Sequence, residues 1–175
     1  AQVKITPEQS MWMAGYAARE HPSEGKMHDL WAKALVLQDA EGNTGVLITT
    51  DLLGFPKDLS DNIRNRLNEK YNLSRVQIIL NSSHTHSGPV LEGSLYDIYP
   101  LNSSQLEKIE RYSDHLTDKI VELVGKAIDS LQPAQVYAEN GVTRFQVNRR
   151  NNEASILARQ RDLNSPNDYS VPVIK

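Results

Sequence analysis

The segment NSSHTHSGP, at 81–89, carries the residues best suited to chemistry, two histidines separated by one residue. It follows the apolar run RVQIIL, which is typical of a buried strand. Because side chains alternate along extended backbone, His84 and His86 are expected to project from the same side. Two neutral imidazoles on one side can bind one metal ion, or one can bind the metal while the other acts on a substrate. The simpler alternative is a pair of solvated loop histidines.

Two further polar groups follow apolar runs. Asp51 ends the run VLITTD, where its carboxylate can orient a metal-binding histidine, touch a metal itself, or serve only the following turn. Arg149 and Arg150 follow the predicted strand that ends near QVN. A guanidinium there can polarise a carbonyl or hold an anion, and the alternative is a surface charge pair.

Composition narrows the classes of protein. The 175 residues are 39% hydrophobic and 23% charged, which is typical of one soluble globular domain. A formal charge of −3 and the lack of a basic run argue against a nucleic-acid partner. No run approaches the roughly 18 apolar residues of a membrane span. The chain has no cysteine, so any metal must be bound by histidine, carboxylate, tyrosine or water.

The elements before the histidines predict a βαβ unit. Two apolar, β-branched runs, 32–40 and 44–53, indicate strands joined by a tight turn at EGN, the second covered on both faces. A helix follows, because Leu59, Ile63, Leu67 and Tyr71 recur every four residues. The strand at 75–80 then pairs in parallel, and its carboxyl end is where α/β sheets bind ligands.

The second half predicts a long helix and more strands. Ser104 and Glu107 have the spacing of a capping box, apolar residues keep helical spacing to Leu131, and Pro133 ends the helix. The run AQVYAENGVTRFQVNRR indicates two strands about the turn ENG, and YSVPVIK begins another strand. No linker or repeat divides residues 1–175. The predicted fold class is α/β, with a mixed, mainly parallel sheet flanked by helices.

Five segments in order, MAGYAAR, AKALVLQD, VLITTDLLG, IILNSSHTHSGP and VNRR, give the chain a family resemblance. From about residue 11 to residue 175, the chain resembles the N-terminal catalytic domain of neutral/alkaline non-lysosomal ceramidases and their bacterial relatives. The resemblance implies a zinc-dependent hydrolase that cleaves the amide bond of ceramide into a sphingoid base and a fatty acid. It therefore implies a lipid or another acyl-amide as substrate.

The resemblance also assigns roles to residues. It implies that His84 is a zinc ligand, that His86 and Arg149 act on the reacting amide and its developing oxyanion, and that Gly15 lines the substrate site. The chain stops within an apolar run, so it is expected to be the first part of a larger catalytic domain. The other zinc ligands, a second His, a Glu and a Tyr, are expected beyond residue 175. The isolated chain is therefore expected to have little or no activity.

Two departures from the family pattern flank the expected site. HSGPVLEG stands where the family usually has HSGPGG, and NRR replaces the more usual NRS. These departures leave open an acyl-amide other than ceramide as the substrate. The alternatives to a ceramidase-like enzyme are another His-X-His metallohydrolase and a non-catalytic relative that binds lipid or carbohydrate. The start AQ, without methionine, fits a cleaved signal peptide and a secreted or periplasmic protein, although a trimmed start explains it equally.

Overall fold

The computed structural model describes residues 1–153, 155, 157–159, 163–164 and 166–175. Packing divides the chain into two compact units, Ala1–Leu131 and Gln132–Lys175. The strands are β1 (Gln2–Lys4), β2 (Trp31–Gln38), β3 (Thr44–Thr50), β4 (Ile78–Ser82), β5 (Ala138–Val142) and β6 (Ser170–Ile174). The helices are α1 (Lys57–Tyr71), α2 (Ser103–Asp129), and short 3-10 helices at Arg75–Gln77 and Leu157–Arg159. The sequence NNEASILARQRDLNSPND at 151–168 predicts irregular structure, and part of it lies outside the described ranges.

The first unit is built on a sheet in the order β1-β2-β3-β4. The pairs β1/β2 and β2/β3 are antiparallel, and β3/β4 is parallel. The prediction of a mainly parallel sheet is therefore wrong. Residues 39–43 between β2 and β3 are too few for the crossover that parallel strands need, and β1 adds a second antiparallel pair along β2.

The predicted βαβ unit is present as β3, α1 and β4. Leu59, Ile63 and Leu67 of α1 are buried, as their four-residue spacing predicts. The helix ends at Asn72, where a left-handed residue donates its N–H to an earlier carbonyl of the last turn. Thr50 pairs with Ser82, so β3 and β4 end at the same edge of the sheet.

Within the first unit, α1 and α2 cover one face of the sheet. Along β3, Val46, Ile48 and Thr50 are buried while the residues between them are less so. The predicted strand at 75–80 begins as a 3-10 helix, and Ile79 of β4 is 62% exposed. The prediction of strands buried on both faces is wrong, because α1 and α2 pack on a single side of the sheet.

The long helix α2 is confirmed, but its N-cap is Asn102 and not Ser104. Asn102 has extended backbone, and its side chain accepts a hydrogen bond from the N–H of Gln105. Ser104 is exposed in the first turn. The buried face of α2 packs with α1 and the sheet in one core through Leu116, Ile120, Val121, Leu123, Val124 and Ala127.

The second unit contains the antiparallel pair β5 and β6, in which Gly141 pairs with Val171. The strand predicted at YSVPVIK is confirmed. The hairpin predicted about ENG is wrong, because Glu139, Asn140 and Gly141 lie inside β5. Their partner strand comes from a later part of the sequence, which the local turn signal does not reveal.

Candidate functional site

The histidine segment leaves the sheet where β3 and β4 end together. The N–H of Ser83 donates to the carbonyl of Thr50 at 2.9 Å. The buried Thr50 hydroxyl donates to the carbonyl of Asn81 at 3.1 Å and lies 3.1 Å from the hydroxyl of Ser82. These contacts hold the start of the segment against the carboxyl end of the parallel pair.

His84 has a defined ring orientation on a left-handed backbone. Its φ is 60°, which is unusual for a residue other than glycine. Its Nδ1 lies 2.8 Å from the carbonyl oxygen of Leu53. Because that oxygen can only accept, Nδ1 carries the proton, and in the neutral ring the lone pair is on Nε2. The residue is exposed, so Nε2 is available to a ligand.

His86 lies beside His84, with ring centroids 5.3 Å apart and planes at 70°. The two imidazoles are neighbours, as the sequence predicts, but the predicted reason is wrong. β4 ends at Ser82, and the left-handed turn at His84 replaces the extended backbone on which the prediction relied.

A cavity of about 1130 Å³ lies beside the same segment in the first unit. Ser83, Thr85 and Ser87 line it, and the histidines between them do not. The rest of its wall comes mainly from the loop that joins β1 to β2, with Asp51 at the sheet edge. Ser83, Thr85 and Ser87 therefore line the cavity, whereas His84 and His86 do not.

Gly15 is packed directly on His86. A Cβ added at Gly15 would lie 2.5 Å from Cγ of His86, and the φ of Gly15 is +122°. The register is set by backbone hydrogen bonds from Ala14 N to Gly88 O at 2.7 Å and from Val90 N to Trp12 O at 2.8 Å. Only glycine combines this backbone conformation with so close an approach.

Two residues that sequence reasoning missed complete the surroundings of His86. The Tyr16 ring meets the His86 ring edge-on, with centroids 4.8 Å apart. Arg19 donates from Nη2 to the carbonyl oxygen of His86 at 2.5 Å. Both belong to the segment MAGYAAR, from which the sequence analysis selected only Gly15.

Asp51 stands at the same sheet edge and makes backbone contacts. Its Oδ2 accepts from the N–H of Trp31 at 2.9 Å, and its own N–H donates to the carbonyl of Trp31 at 2.9 Å. The carboxylate thus continues the β2/β3 ladder by one step. A role of Asp51 toward a histidine or a metal stays a prediction.

Arg149 belongs to the second unit, where it is exposed on a turn. Asparagines hold that turn: Asn148 Oδ1 accepts from the N–H of Arg150 at 2.9 Å, and Asn152 Nδ2 donates to the carbonyl of Asn148 at 2.7 Å. Asn152 Oδ1 also accepts from the N–H of Asn164 at 2.7 Å. The catalytic role of Arg149 stays a prediction.

One residue of the candidate site, His84, has the features of a zinc ligand. Zinc binds neutral imidazole through one nitrogen, and a ligating histidine usually donates its other N–H to a carbonyl or carboxylate. His84 matches that pattern, since its Nδ1 donates to the Leu53 carbonyl and no described residue forms a hydrogen bond with its Nε2. Among the residues that the structure describes, no group of three or more His, Asp or Glu side chains is placed to hold a metal ion.

The first unit is thus an α/β layer with a histidine pair at the carboxyl edge of its parallel strands. The sequence model of neutral/alkaline non-lysosomal ceramidase, N-terminal, matches residues 4–157, and the chain belongs to this family. Neutral ceramidase A of Dictyostelium discoideum is 30% identical over 132 residues, covering 74% of this chain and 18% of the relative. Neutral ceramidase of Pseudomonas aeruginosa is 30% identical over 135 residues, covering 75% of this chain and 20% of the relative.

Solved structures of ceramidases are also similar to this chain. The crystal structure of neutral ceramidase from Pseudomonas aeruginosa has a TM-score of 0.67 at 26% identity, covering 82% of this chain and 23% of that chain. A structure described as ceramidase complexed with C2 has a TM-score of 0.68 at 28% identity, covering 82% of this chain and 22% of that chain. The chain spans about a fifth of the length of these relatives.

Proposed function

We propose that the full-length protein hydrolyses acyl-amide bonds as a ceramidase-like enzyme, and that the histidine pair is part of its active site. The observation that carries the proposal is the state of His84: its Nδ1 donates to the Leu53 carbonyl, and its Nε2 has no hydrogen-bond partner among the described residues and lies on a ring that contacts His86. Membership of the ceramidase family supports the reaction class, since the curated relatives are neutral ceramidases.

In this proposal His84 is a ligand of a zinc ion. When bound, zinc supplies Lewis-acid polarisation and an activated water at neutral pH. The Leu53 carbonyl keeps the proton of His84 on Nδ1 and so directs Nε2 to the metal. One protein ligand binds zinc weakly, so the remaining ligands belong to other parts of the full-length protein.

His86 is the proposed acid–base or hydrogen-bonding group at the amide. No described residue forms a hydrogen bond with its ring nitrogens, so they are available to the scissile carbonyl or the leaving amine. Arg149 is the proposed second donor to the developing oxyanion, for which its planar guanidinium is suited. Gly15 is the proposed substrate-lining residue, and its lack of a side chain lets its backbone pack directly on the His86 ring.

The proposed substrate is a lipid with an acyl-amide bond, as the names of the relatives indicate. Within the described residues, no helix has the length and apolarity needed to cross a bilayer. A secreted or periplasmic location and the inactivity of the isolated chain stay predictions.

The test uses the full-length enzyme, a short-chain N-acyl sphingoid substrate and metal analysis. His84→Ala is expected to lose both bound zinc and turnover, because it removes a metal ligand. His86→Ala is expected to keep zinc and to lose turnover by about 100-fold or more, the scale of an acid–base contribution.

His115→Ala is the matched control, since His115 is exposed on α2, and it should retain both zinc and turnover. Full zinc content and full turnover in both His84→Ala and His86→Ala would refute the site. A wild-type protein that binds its lipid without cleaving it would identify a non-catalytic relative. A zinc enzyme that cleaves other amides but no sphingolipid would contradict the ceramidase-like substrate.

A further inference from the structure

His86 is held by a segment far from it in sequence. Within its own segment, His86 has a ring contact with His84. Its further contacts come from Gly15, Tyr16 and Arg19, which we call the His86 clamp. The hydrogen bond from Arg19 joins residues 67 positions apart in the chain.

Each member of the clamp touches a different part of His86. The Gly15 backbone packs against Cβ and Cγ of His86, at a distance that leaves no room for a side chain. The Tyr16 ring meets the imidazole edge-on, with centroids 4.8 Å apart. Arg19 holds the backbone carbonyl oxygen at 2.5 Å. Together they restrain the backbone and ring of His86 while its ring nitrogens remain without a hydrogen-bond partner in the described part of the chain.

Arg19 also connects the members of the clamp. Its guanidinium carbon lies 5.5 Å from the centroid of the Tyr16 ring, within cation–π range. Its Nε is buried and has no hydrogen-bond partner within the described residues. Burying an unpaired donor is costly, so the side chain is kept here by its contacts with His86 and Tyr16. Among described residues, no carboxylate forms an ion pair with Arg19. Its guanidinium contacts the His86 carbonyl and the Tyr16 ring instead.

We propose that Arg19 is a positioning residue for His86: it fixes the His86 backbone directly and steadies the ring through Tyr16. The proposal rests on the proposed function of His86. In this proposal Arg19 acts through His86 and not on the substrate. A small displacement of an acid–base group costs much of its rate, because proton transfer requires hydrogen-bond geometry at the reacting atoms.

The test compares Arg19→Ala and Arg19→Lys in the full-length enzyme, with Arg66→Ala as control. Arg66 is a partly exposed arginine of α1 whose ion pair with Asp118 is remote in sequence from the clamp. Arg19→Ala is expected to lower kcat by about 10- to 100-fold with KM and zinc content little changed. Arg19→Lys should recover part of kcat, because an ammonium can still donate to the His86 carbonyl. Arg66→Ala should have the wild-type kcat.

A second measurement separates this proposal from the proposed function. With 13Cε1-labelled histidine, the His86 resonance should shift or broaden in Arg19→Ala while the His84 resonance remains unchanged. That result supports the positioning role even if the wild-type enzyme cleaves no acyl-amide. Unchanged kcat and an unchanged His86 resonance in Arg19→Ala would overturn it. A fall in kcat with equal losses of zinc and thermal stability would also overturn it, since it would show a general structural role.

Discussion

At the scale of single residues, the candidate site depends on the missing Cβ of Gly15 and on a backbone carbonyl next to the His84 ring. Gly15 has no Cβ, and the space that a Cβ would need is filled by the His86 ring. His84 depends on the opposite condition, a carbonyl of Leu53 within reach of one ring nitrogen. Both residues were selected from the sequence, but the contact partner of each lies far along the chain.

Gly15→Ala tests this packing. The new methyl would lie 2.5 Å from Cγ of His86 on a backbone with φ of +122°, so the variant should lose at least about 1 kcal/mol of unfolding free energy. Turnover of the full-length enzyme should fall with it, because His86 must move. Denaturant unfolding and kcat measure the two effects.

Gly25→Ala is the matched control in the same loop. No atom lies within 4 Å of an added Cβ there, and its backbone is not left-handed, so stability should be unchanged or slightly higher. Equal stability of the two alanine variants would contradict the close approach of Gly15 to His86.

At the scale of elements, the periodicity of apolar residues predicts the buried face of a helix better than capping residues predict where the helix begins. The apolar spacing of α2 indicates where its buried face lies, since Leu116, Ile120 and Leu123 share one side of the helix. Its start depends on a single hydrogen bond. Asn102 and Ser104 are both good capping residues by type, and only the backbone decides which of them caps.

Asn102→Ala is expected to lower the unfolding free energy by about 1 kcal/mol, because the N–H of Gln105 loses its side-chain acceptor at 3.0 Å. Ser104→Ala should change it by no more than about 0.5 kcal/mol, since Ser104 is exposed within the first turn. Denaturant titration of both variants provides the comparison. A larger loss of unfolding free energy in Ser104→Ala than in Asn102→Ala would support Ser104 as the N-cap and contradict the observed cap at Asn102.

At the scale of the whole molecule, exposed ion pairs join segments that are distant in sequence. Asp61 of α1 accepts from Lys57 and from Arg75, each at 2.6 Å, so it connects the helix to the segment before β4. These cations, Lys57 first and then Arg75, lower the pKa of Asp61 from 3.8 to about 2. Asp29 is paired with Lys26 and Lys4, and hydrogen bonds from these two cations lower its pKa as well.

These pKa values predict a loss of stability in acid. Below pH 3.8 the unfolded chain takes up a proton at Asp61 before the folded chain does, so the contribution of Asp61 is present above that pH and disappears toward pH 2. Asp61→Asn should therefore be less stable than wild type at pH 5, and the difference should shrink as the pH falls to about 2. Denaturant unfolding between pH 5 and pH 2 measures it.

Asp114→Asn is the control, because Asp114 is exposed on α2 without an ion pair among the described residues. Because this variant removes no ion pair among the described residues, it should not reproduce the loss of stability expected of Asp61→Asn at pH 5. High salt should reduce the Asp61 effect, since exposed pairs are screened. A difference for Asp61→Asn that is independent of pH would contradict the ion-pair assignment.

Several features were predictable because they depend on nearby residues. The four-residue stripe on α1, the length of α2 and the order of strand, helix and strand all follow from local periodicity. The position of His84 and His86 after β4 follows from that order. The antiparallel β2/β3 pair was predictable from the tight turn at EGN, whereas the pairing of β1 was not, because β1 is a strand of three residues that is far from β2 in sequence.

The histidine pair, the βαβ unit that carries it and the family resemblance can all be read from the amino-acid sequence. The proton position on His84, the contact of Gly15 with His86 and the hydrogen bond from Arg19 to the His86 carbonyl are known only from the folded chain. The difference lies in how far apart in sequence the interacting residues are. Periodicity acts within one element, whereas a hydrogen bond between residues 67 positions apart exists only after the chain has folded.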